Sequence, residues 1–477
     1  MAFIKNSMTF SLPRARIRPM VEMILRLIYS FLYFIVLIFL LPFQYRKRPK
    51  GLRQRWLKEK FGFINYELRT FKSLQPSVNP SSPPFSKGGM GGFECGGRRG
   101  IIWIHAVSVG EVIASLPLLQ RLKDRYPSVN LLLSTITDTG QKVALEKAPD
   151  GTNVIYLPFD INFILKRTFK NAQPNLFITM ETELWPNLFT ALKKRGIPSV
   201  VMNGRISDDS FKGYKKIKFF MRGIIEGVDL FGMQDAVYAE RIKELGASED
   251  KVRVLGSFKF DAAPSLNIQE WTKLVSHPVI IAGSTHRGEE ELLVSSYIEL
   301  KKDFPDLTLI VAPRHPERFK EVEELVKEKG LEYVKRSHLT PPYSSPYQGE
   351  DRRGGLVIIL DAVGELASVY GASDVAVIGG SFIERGGQNL LEPAFWGKPI
   401  ICGPHMENFP FAKEFYEKGA AIETDSPALC EKLKELLQSA EKRKAMGDKA
   451  KELYNEKAGA VERAMKEIER YLKNEAG

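Results

Sequence analysis

The sequence has few cysteines, and it lacks the short glycine-rich motifs of two large classes of nucleotide-binding enzyme. Three cysteines, Cys95, Cys402 and Cys430, occur among 477 residues, and neither their number nor their spacing fits a disulfide framework or a metal site. They fit a reducing compartment. No GxxxxGK[ST] loop is present, and no GxGxxG occurs at a first strand–helix turn, which argues against an ATPase and a dehydrogenase.

The protein has a net charge of +12, but its basic residues do not form a nucleic-acid-binding pattern. A basic surplus of this size favours nucleic acid, an anionic membrane surface or an acidic substrate as a partner. The sequence contains no recognisable nucleic-acid-binding module and no long basic run in its globular part. Much of the dense charge flanks one apolar segment instead, so we expect no nucleic-acid partner.

That apolar segment, residues 27–43, is near the lower length limit of a membrane-spanning helix, about 17 residues. It reaches roughly 20 if residues 23–25 join it while Arg26 extends its charge to the interface. The cations that follow it outnumber those before it, which places the bulk of the protein in the cytoplasm. These downstream cations are Arg46, Lys47, Arg48, Lys50, Arg53 and Arg55. We therefore predict a single N-terminal membrane anchor at residues 20–43. One alternative is a helix buried on the globular body. The other is a signal peptide, but no cleavage site follows the segment.

Beyond this segment, short apolar runs alternate with longer amphipathic stretches, and each run leads into a polar cluster. Residues 101–104 precede HAVSVGE, 176–178 precede METE, and 279–281 precede GSTH. This pattern predicts buried parallel strands alternating with helices. Because ligands bind at the carboxyl ends of such strands, we expect one site shared between two doubly wound halves.

The chain exceeds one ordinary core, so we divide it into two domains, residues 44–262 and 263–477. The final helix of the second domain is a candidate for packing back on the first. Two stretches rich in proline, glycine and serine, residues 75–99 and 340–355, interrupt the α/β pattern. Such composition cannot bury enough apolar surface to offset its ordering entropy, so we expect disordered insertions.

Acidic residues follow two strands of the first half. Glu111 ends HAVSVGE in the first turn of a helix, where a carboxylate can act as a general base or simply complement the helix dipole. Glu181 and Glu183 follow a second strand, where two carboxylates near the site must be paired or used in catalysis, unless Thr182 or Glu183 simply caps a helix. Lys259 is a candidate compensating cation, although a solvated lysine explains it equally well.

The second half carries features typical of phosphate binding. Gly283-Ser284-Thr285 and Gly379-Gly380-Ser381 offer backbone N–H groups at expected helix starts. Arg314 offers a planar fork for phosphate or forms a surface salt bridge. Asn389 and Glu392 lie three apart on one helical face, so a carboxylate there can take a ribose diol.

The chain resembles a known family through a series of long motifs. They are HAVSVGE, METELWPN, NGRIS, GSFKFD, GSTHRGEEE, APRHPERF, GELASVYGASDVAVIGGSFIERGGQNLLEPA and GPHMENF. In this order they resemble the 3-deoxy-D-manno-octulosonic acid (Kdo) transferases, which add Kdo to the lipid A precursor in Gram-negative bacteria. The resemblance runs from about residue 27 to the C-terminus, apart from the two insertions.

The resemblance implies a GT-B fold, in which two Rossmann-like doubly wound domains face a cleft. It implies a CMP-Kdo donor, a lipid A precursor as acceptor, inversion at the anomeric carbon, the cytoplasmic face of the inner membrane, no cofactor and no metal. The N-terminal domain would bind the acceptor and the C-terminal domain the CMP-sugar. By motif, Glu111 would be the general base, with Glu181 and Lys259 as transition-state stabilisers. The implied CMP-binding residues are Pro313, Arg314, His315, Val363, Gly364, Glu365, Asn389, Leu390, Leu391 and Glu392. The chain departs from the family at Gln388, where histidine is usual.

Two other functions compete with this interpretation. One is another GT-B enzyme, such as a nucleotide-sugar epimerase or a lipid A disaccharide synthase, in which the SVGE and METELWPN motifs are not expected together. The other is a membrane-tethered binding protein without catalysis. The joint presence of Glu111, Glu181 and Lys259 argues against the second.

Overall fold

The structure is a computed structural model that describes residues 14–64, 94–95, 98–261, 269–339 and 355–473. The chain divides into two compact units, Met1–Ala262 with Gly459–Gly477, and Ala263–Ala458. Most of the two expected insertions lies outside the described residues. At the end of the first, two short antiparallel strands pair, Glu94–Cys95 with Arg98–Arg99. At the end of the second, Gly355 is buried and donates its N–H to the carbonyl of Pro305.

The first unit is built on a parallel seven-stranded sheet. Its helices are α1 (Arg14–Lys47), α2 (Lys50–Lys60), α3 (Val109–Arg125), α4 (Asp138–Lys147), α5 (Asn162–Asn171), α6 (Pro186–Lys193), α7 (Asp208–Lys216), α8 (Lys218–Ile225) and α9 (Ala236–Leu245). Its strands are β1 (Glu94–Cys95), β2 (Arg98–Arg99), β3 (Ile101–His105), β4 (Asn130–Thr135), β5 (Asn153–Tyr156), β6 (Leu176–Met180), β7 (Ser199–Gly204), β8 (Leu230–Met233) and β9 (Val252–Val254). The sheet order is β5-β4-β3-β6-β7-β8-β9, and β1 pairs only with β2.

Alternation along the central strand β3 builds a core on each side of this sheet. Ile102 and Ile104 pack in one apolar cluster with residues of α3, whereas Trp103 packs in another with Phe177 and Phe189. Successive side chains of a strand point to opposite faces, so a strand covered by helices on both sides needs apolar residues throughout. This is why the apolar runs in the sequence are continuous.

The second unit repeats this architecture. Its helices are α10 (Glu289–Leu300), α11 (Phe319–Glu328), α12 (Leu366–Val369), α13 (Leu391–Phe395), α14 (Ala412–Glu417), α15 (Leu429–Gln438) and α16 (Ala440–Lys457). Its strands are β10 (Val279–Thr285), β11 (Thr308–Pro313), β12 (Tyr333–Lys335), β13 (Val357–Ile359), β14 (Val375–Ile378), β15 (Ile400–Cys402) and β16 (Ile422–Glu423). The parallel sheet has the order β12-β13-β11-β10-β14-β15-β16. The expected pair of doubly wound α/β units, the GT-B class, is confirmed.

The last helix, α17 (Ala460–Lys473), belongs to the first unit, although our sequence-based boundary grouped it with the second. The Asp261 carboxylate accepts the backbone N–H groups of Gly459 and Val461 at 2.5 and 2.8 Å. Ala464 and Ile468 are buried in the same cluster as Ile102. The helix is therefore held by a capping carboxylate at its start and by an apolar face along its length.

Replacing Asp261 with alanine should lower the free energy of unfolding of the first unit by about 1–2 kcal/mol, because two N–H groups at the start of α17 lose their acceptor. Urea unfolding followed by circular dichroism measures this change. The matched control is Glu462→Gln, also on α17, which removes an exposed ion pair with Arg121 of α3 and should change stability by under about 0.5 kcal/mol. Equal effects in the two variants would show that Asp261 does not hold the helix.

The apolar N-terminal segment is helical, and its residues Met23–Lys47 are long and apolar enough to cross a membrane. The sequence analysis offered a membrane anchor or a helix buried on the globular body, and neither describes this helix fully. Most of its large apolar side chains are exposed, as in an anchor, yet Leu37 is buried against Trp56 and Phe159 of the first unit.

Candidate functional site

Three residues at the carboxyl ends of strands adopt a left-handed backbone that is costly for side chains other than glycine. Glu181 follows β6 with φ 54°, Asn203 lies near the end of β7 with φ 54°, and Ser284 lies near the end of β10 with φ 57°. The strand pairing shifts register beside Asn203 and Ser284. Strain of this kind persists only where surrounding contacts enforce it, and it concentrates at functional sites. In both units it marks the edge of the sheet where the sequence places its polar clusters.

Glu111 lies in the first turn of α3 and is 7% exposed. Its Oε2 accepts the Val107 N–H at 2.9 Å, and its Oε1 accepts the Ser108 hydroxyl at 2.9 Å. Ser108 in turn caps α3 by accepting the Glu111 N–H at 3.4 Å. Glu111 thus takes part in the capping of α3, and these hydrogen bonds fix the position of its carboxylate.

The environment of Glu111 makes it a stronger base than an ordinary carboxylate. Burial raises its pKa to about 7, against the lowering effect of the Val107 N–H, and the nearby carboxylates of Glu181 and Glu183 raise it further. The three acidic residues that the sequence places after two different strands therefore lie close together. A carboxyl group with this pKa takes up a proton readily near neutral pH.

Glu181 lies beside two cations. Burial raises its pKa, and the positive charges of Arg205 and Lys259 oppose that rise. Burial likewise lowers the pKa of Lys259, which Glu181 counteracts. The structure therefore brings Lys259 to Glu181, as expected from the sequence, and adds Arg205, a residue of the NGRIS motif to which the sequence analysis gave no role.

Asn203 ties the turn that carries Lys259 to the end of β7. Its side-chain Oδ1 accepts the Phe258 N–H at 3.0 Å, one residue before Lys259. The Thr182 hydroxyl donates to the carbonyl of Arg205. These two bonds link the METE, NGRIS and GSFKFD motifs. Sequence reasoning missed them, because the partners lie 23 and 55 positions apart.

His105, the last residue of β3, is bonded within the sheet. It is fully buried, its Nδ1 lies 3.0 Å from both the carbonyl and the hydroxyl of Ser134, and burial lowers its pKa to about 3. The imidazole is thus uncharged at physiological pH.

In the second unit, cationic groups converge at the ends of β10 and β11. Arg314 and His315 follow β11 and are exposed, and Pro313 is the buried last residue of that strand. His286 follows β10, and its ring centroid lies 5.6 Å from that of His315. Burial lowers the pKa of His286, as do the positive charges of Arg385, Arg318 and Arg314. In the described part of the chain Arg314 has no ion-pair partner, so the salt-bridge alternative is not realised there.

This cluster has the chemistry of an anion site. His286 Nε2 is buried without a hydrogen-bond partner in the described residues. Arg318 forms an ion pair with Glu290 at 2.5 Å. The exposed guanidinium groups of the cluster are therefore those of Arg314 and Arg385. The sequence indicated Arg314 but not His286 or Arg385, which reach the cluster from separate loops.

The glycine-rich loop at Gly379-Gly380-Ser381 differs from our expectation. The buried carboxylate of Glu289 accepts the N–H groups of Gly380 at 2.7 Å and Phe382 at 3.0 Å, together with that of His286 at 2.9 Å. These amides are therefore already bonded inside the protein. Glu289 instead holds the loop against the start of α10, beside His286.

The other expected nucleotide-binding residues lie on two loops of the second unit. Val363 is 80% exposed, and Gly364 has open space around its Cα with φ 93°. The Glu365 carboxylate is bonded to Arg336 at 2.7 and 3.1 Å and to the indole of Trp271 at 3.3 Å. Its side chain thus holds this loop in place.

The Asn389–Glu392 segment forms the start of α13. Asn389 donates to the Glu392 carboxylate at 3.2 Å and accepts the Leu391 N–H at 3.1 Å. Leu390 and Leu391 are buried, whereas Glu392 is half-buried. The Glu392 carboxylate is thus positioned by Asn389, which lies just before α13 and does not share a helical face with Glu392 as the sequence analysis expected.

No group of three or more His, Cys, Asp or Glu side chains in the described ranges is arranged to hold a metal ion.

Comparison with known proteins identifies related sequences over most of the chain. Residues 55–262 match the family model of 3-deoxy-D-manno-octulosonic-acid transferase. A 3-deoxy-D-manno-octulosonic acid transferase from Haemophilus influenzae is 36% identical over 382 residues, which cover 78% of this chain and 87% of that protein. One from Chlamydophila psittaci is 30% identical over 389 residues, which cover 80% and 87%.

Among solved structures, a glycosyltransferase from Rickettsia africae aligns with a TM-score of 0.52 and 15% identity. The alignment covers 79% of this chain and 99% of that one. At this identity the similarity supports the fold alone.

Proposed function

Because this chain belongs to the 3-deoxy-D-manno-octulosonic acid transferase family, we propose that it moves Kdo from CMP-Kdo to a lipid A precursor with inversion at the anomeric carbon. One observation carries the proposal: Glu111, 7% exposed and fixed by two hydrogen bonds, has its pKa raised to about 7. A positioned base of this strength suits deprotonation of a sugar hydroxyl.

In the proposed step, the acceptor hydroxyl oxygen forms a bond to the anomeric carbon of Kdo. The bond from that carbon to the phosphate oxygen breaks, and CMP leaves with the electron pair. The hydroxyl proton goes to Glu111. Departure of CMP leaves positive charge on the sugar, as in glycoside cleavage.

Glu181 and Lys259 would stabilise charge that develops during this step. Glu181 interacts electrostatically with Lys259 and Arg205. These three side chains therefore offer a negative charge and two positive charges close together. Preorganised charges cost no reorganisation when the reaction occurs. The left-handed backbone at Glu181 supports this role, since a helix cap would not require it.

The CMP phosphate would bind at Arg314 and His315, and we add His286 and Arg385 to this subsite. Cations here would also neutralise the charge of the departing CMP. Glu392, positioned by Asn389, would take the ribose hydroxyls, with Pro313, Val363, Gly364, Glu365, Leu390 and Leu391 shaping the surrounding loops. The acceptor would be a phosphorylated glycolipid of the inner membrane, reached from the cytoplasmic face. The apolar helix α1 and the basic residues after it support this location.

The proposal is tested by CMP release from the purified full chain in detergent. Release should require CMP-Kdo and lipid A precursor together and should be slow with either alone. Equal release without acceptor would mean that the protein hydrolyses the donor. No release in any mixture, from a protein that still binds CMP, would favour the non-catalytic alternative.

The rate should depend on pH through Glu111. Its pKa is raised, so the carboxyl is protonated below about pH 7 and ionised above, and only the ionised form accepts a proton. We expect kcat/KM to rise about tenfold per pH unit below that value and to level off above it. Glu183→Gln removes a negative charge that raises the pKa of Glu111. The pH range in which kcat/KM rises, here called the rising limb, should therefore move to lower pH.

The matched control for this profile is Glu146→Gln, at an exposed surface pair with Lys142, which should leave the limb in place. A limb that moves to higher pH in Glu183→Gln, or does not move, would contradict the assignment of this pKa to Glu111.

A further inference from the structure

The apolar helix α1 has two different faces. Partly buried positions recur along it every three or four residues and continue one residue past its end, which is the pattern of a helix packed along one side. These positions, here called the docked seam, are Arg26, Ser30, Tyr33, Leu37, Leu41, Gln44 and Arg48. The opposite side is exposed. α1 therefore lies along the first unit and does not project from it.

Polar bonds fix the middle of α1 to the first unit. The hydroxyl of Tyr29, beside the seam, donates to Asp160 at 3.0 Å, and the Asn187 amide donates to Ser30 at 2.9 Å. Asp160 is itself buried and accepts the N–H groups of Asn187 and Leu188 at the start of α6. This bonding is specific, because it satisfies a buried carboxylate and a buried amide together.

The C-terminal part of α1 is held as well. The ring of Tyr33 lies edge-on to Trp185 with centroids 6.5 Å apart, and Leu37 is 9% exposed in an apolar cluster. Just beyond α1, Arg48 pairs with Asp138 at 3.1 Å and lies over the ring of Trp56 at 4.0 Å. Contacts thus extend from Tyr29 to Arg48, which is about 28 Å of helix.

That length is nearly the whole thickness of a bilayer's hydrocarbon core, about 30 Å. If α1 crossed the membrane in this arrangement, the parts of the first unit packed along it would lie at hydrocarbon depth. These parts include Asp160, Asn187 and α8, whose Lys218 is exposed and whose Arg222 pairs with Glu226 at the surface. Lipid does not solvate such groups, so the docked seam and a membrane-spanning α1 exclude each other.

The exposed side of α1 suits insertion into one leaflet. Its large apolar side chains are 44–77% exposed and include Leu27, Phe31, Ile38, Phe39 and Phe43. Exposed Ile217 and Phe219 extend this surface at the start of α8, where Phe220 lies 6.1 Å from the ring of Tyr29. Exposed cations border it at both ends, at Arg46, Lys47 and Lys50 and at Lys212, Lys215, Lys216 and Lys218. An apolar surface with a basic rim is complementary to an anionic bilayer.

We propose that α1 lies in the plane of the membrane, with its exposed face inserted in one leaflet of an anionic bilayer and its docked seam on the first unit. α1 then does not cross the bilayer, and its N-terminal end lies on the same side as the first unit. The apolar face reaches only the headgroup and upper acyl region, about 5–10 Å deep. This topology does not depend on the proposed reaction.

The test uses the full chain in vesicles of phosphatidylethanolamine and phosphatidylglycerol. An N-terminal peptide tag on the otherwise unaltered protein reports the side of the membrane. We expect protease added outside to remove the tag from every molecule whose α/β units it can also digest. A tag that stays protected while the units are digested would overturn the proposal.

Depth along α1 is the second measurement. Single cysteines at Leu27→Cys, Phe31→Cys and Ile38→Cys, in a chain with the native cysteines replaced by alanine, carry a fluorescent probe that spin-labelled lipids quench. We expect the same shallow depth at all three positions and little quenching at Leu37→Cys, the matched position on the docked seam. Depth that increases steadily from Leu27 to Ile38, or equal quenching at Leu37, would mean that α1 is surrounded by lipid and crosses the bilayer. Neither readout uses transferase activity, so failure here is distinct from failure of the proposed function.

Discussion

Glu111→Gln should lower turnover by roughly 100-fold or more, because it removes the proton acceptor while keeping the size of the side chain. The fold should survive this change. The amide oxygen can still accept the Val107 N–H, and the Ser108 hydroxyl can rotate to accept from the new NH₂ group. Steady-state kinetics with CMP-Kdo and lipid A precursor measures the loss.

Two controls separate this chemical effect from damage to the protein. CMP affinity should stay within a few-fold of that of the unaltered chain, since the expected CMP residues belong to the second unit. The pH dependence below about pH 7 should flatten, because the group that carries it is gone. Near-normal turnover in Glu111→Gln would rule out this residue as the base.

Arg314→Ala and Arg385→Ala should each weaken CMP binding by about 1.5–3 kcal/mol, which is about 10- to 150-fold in Kd. Both arginines act on His286 within the cationic cluster, and Arg314 has no competing ion pair in the residues that the structure describes. Isothermal titration calorimetry with CMP measures the change. Higher salt should weaken binding to the unaltered chain as well, since these groups are exposed.

The matched control is Arg287→Ala. Arg287 follows His286 in the chain, is exposed, and pairs with Glu321. Its loss should leave CMP affinity unchanged. Unchanged affinity in Arg314→Ala and Arg385→Ala as well would place the nucleotide elsewhere.

The sequence predicted those features of the site that depend on neighbours along the chain. The place of Glu111 in the first turn of a helix was predicted because the strand end, the small-residue turn and the helix start occupy seven consecutive positions, HAVSVGE. The expected shared helical face of Asn389 and Glu392 was wrong, because α13 begins at Leu391, although the two side chains are hydrogen-bonded. The apolar runs predicted the two parallel sheets, since a strand covered on both faces has no polar alternation.

Features that depend on distant partners were not predicted. Gly380 looked available for phosphate, because its sequence neighbourhood does not reveal that Glu289, 91 positions earlier, accepts its N–H. Arg385 and His286 belong to different loops, so only the fold shows that both act on one site. Similarly, composition marks residues 27–43 as apolar but cannot distinguish a helix that crosses a bilayer from one with a docked seam.

The most direct test of the proposed function is mass spectrometry of the lipid after incubation of the purified full chain with CMP-Kdo and lipid A precursor. The proposal predicts a lipid product heavier by one or more Kdo residues, formed together with CMP and absent when Glu111→Gln replaces the unaltered chain. A lipid of unchanged mass, despite CMP release or CMP binding, would contradict it.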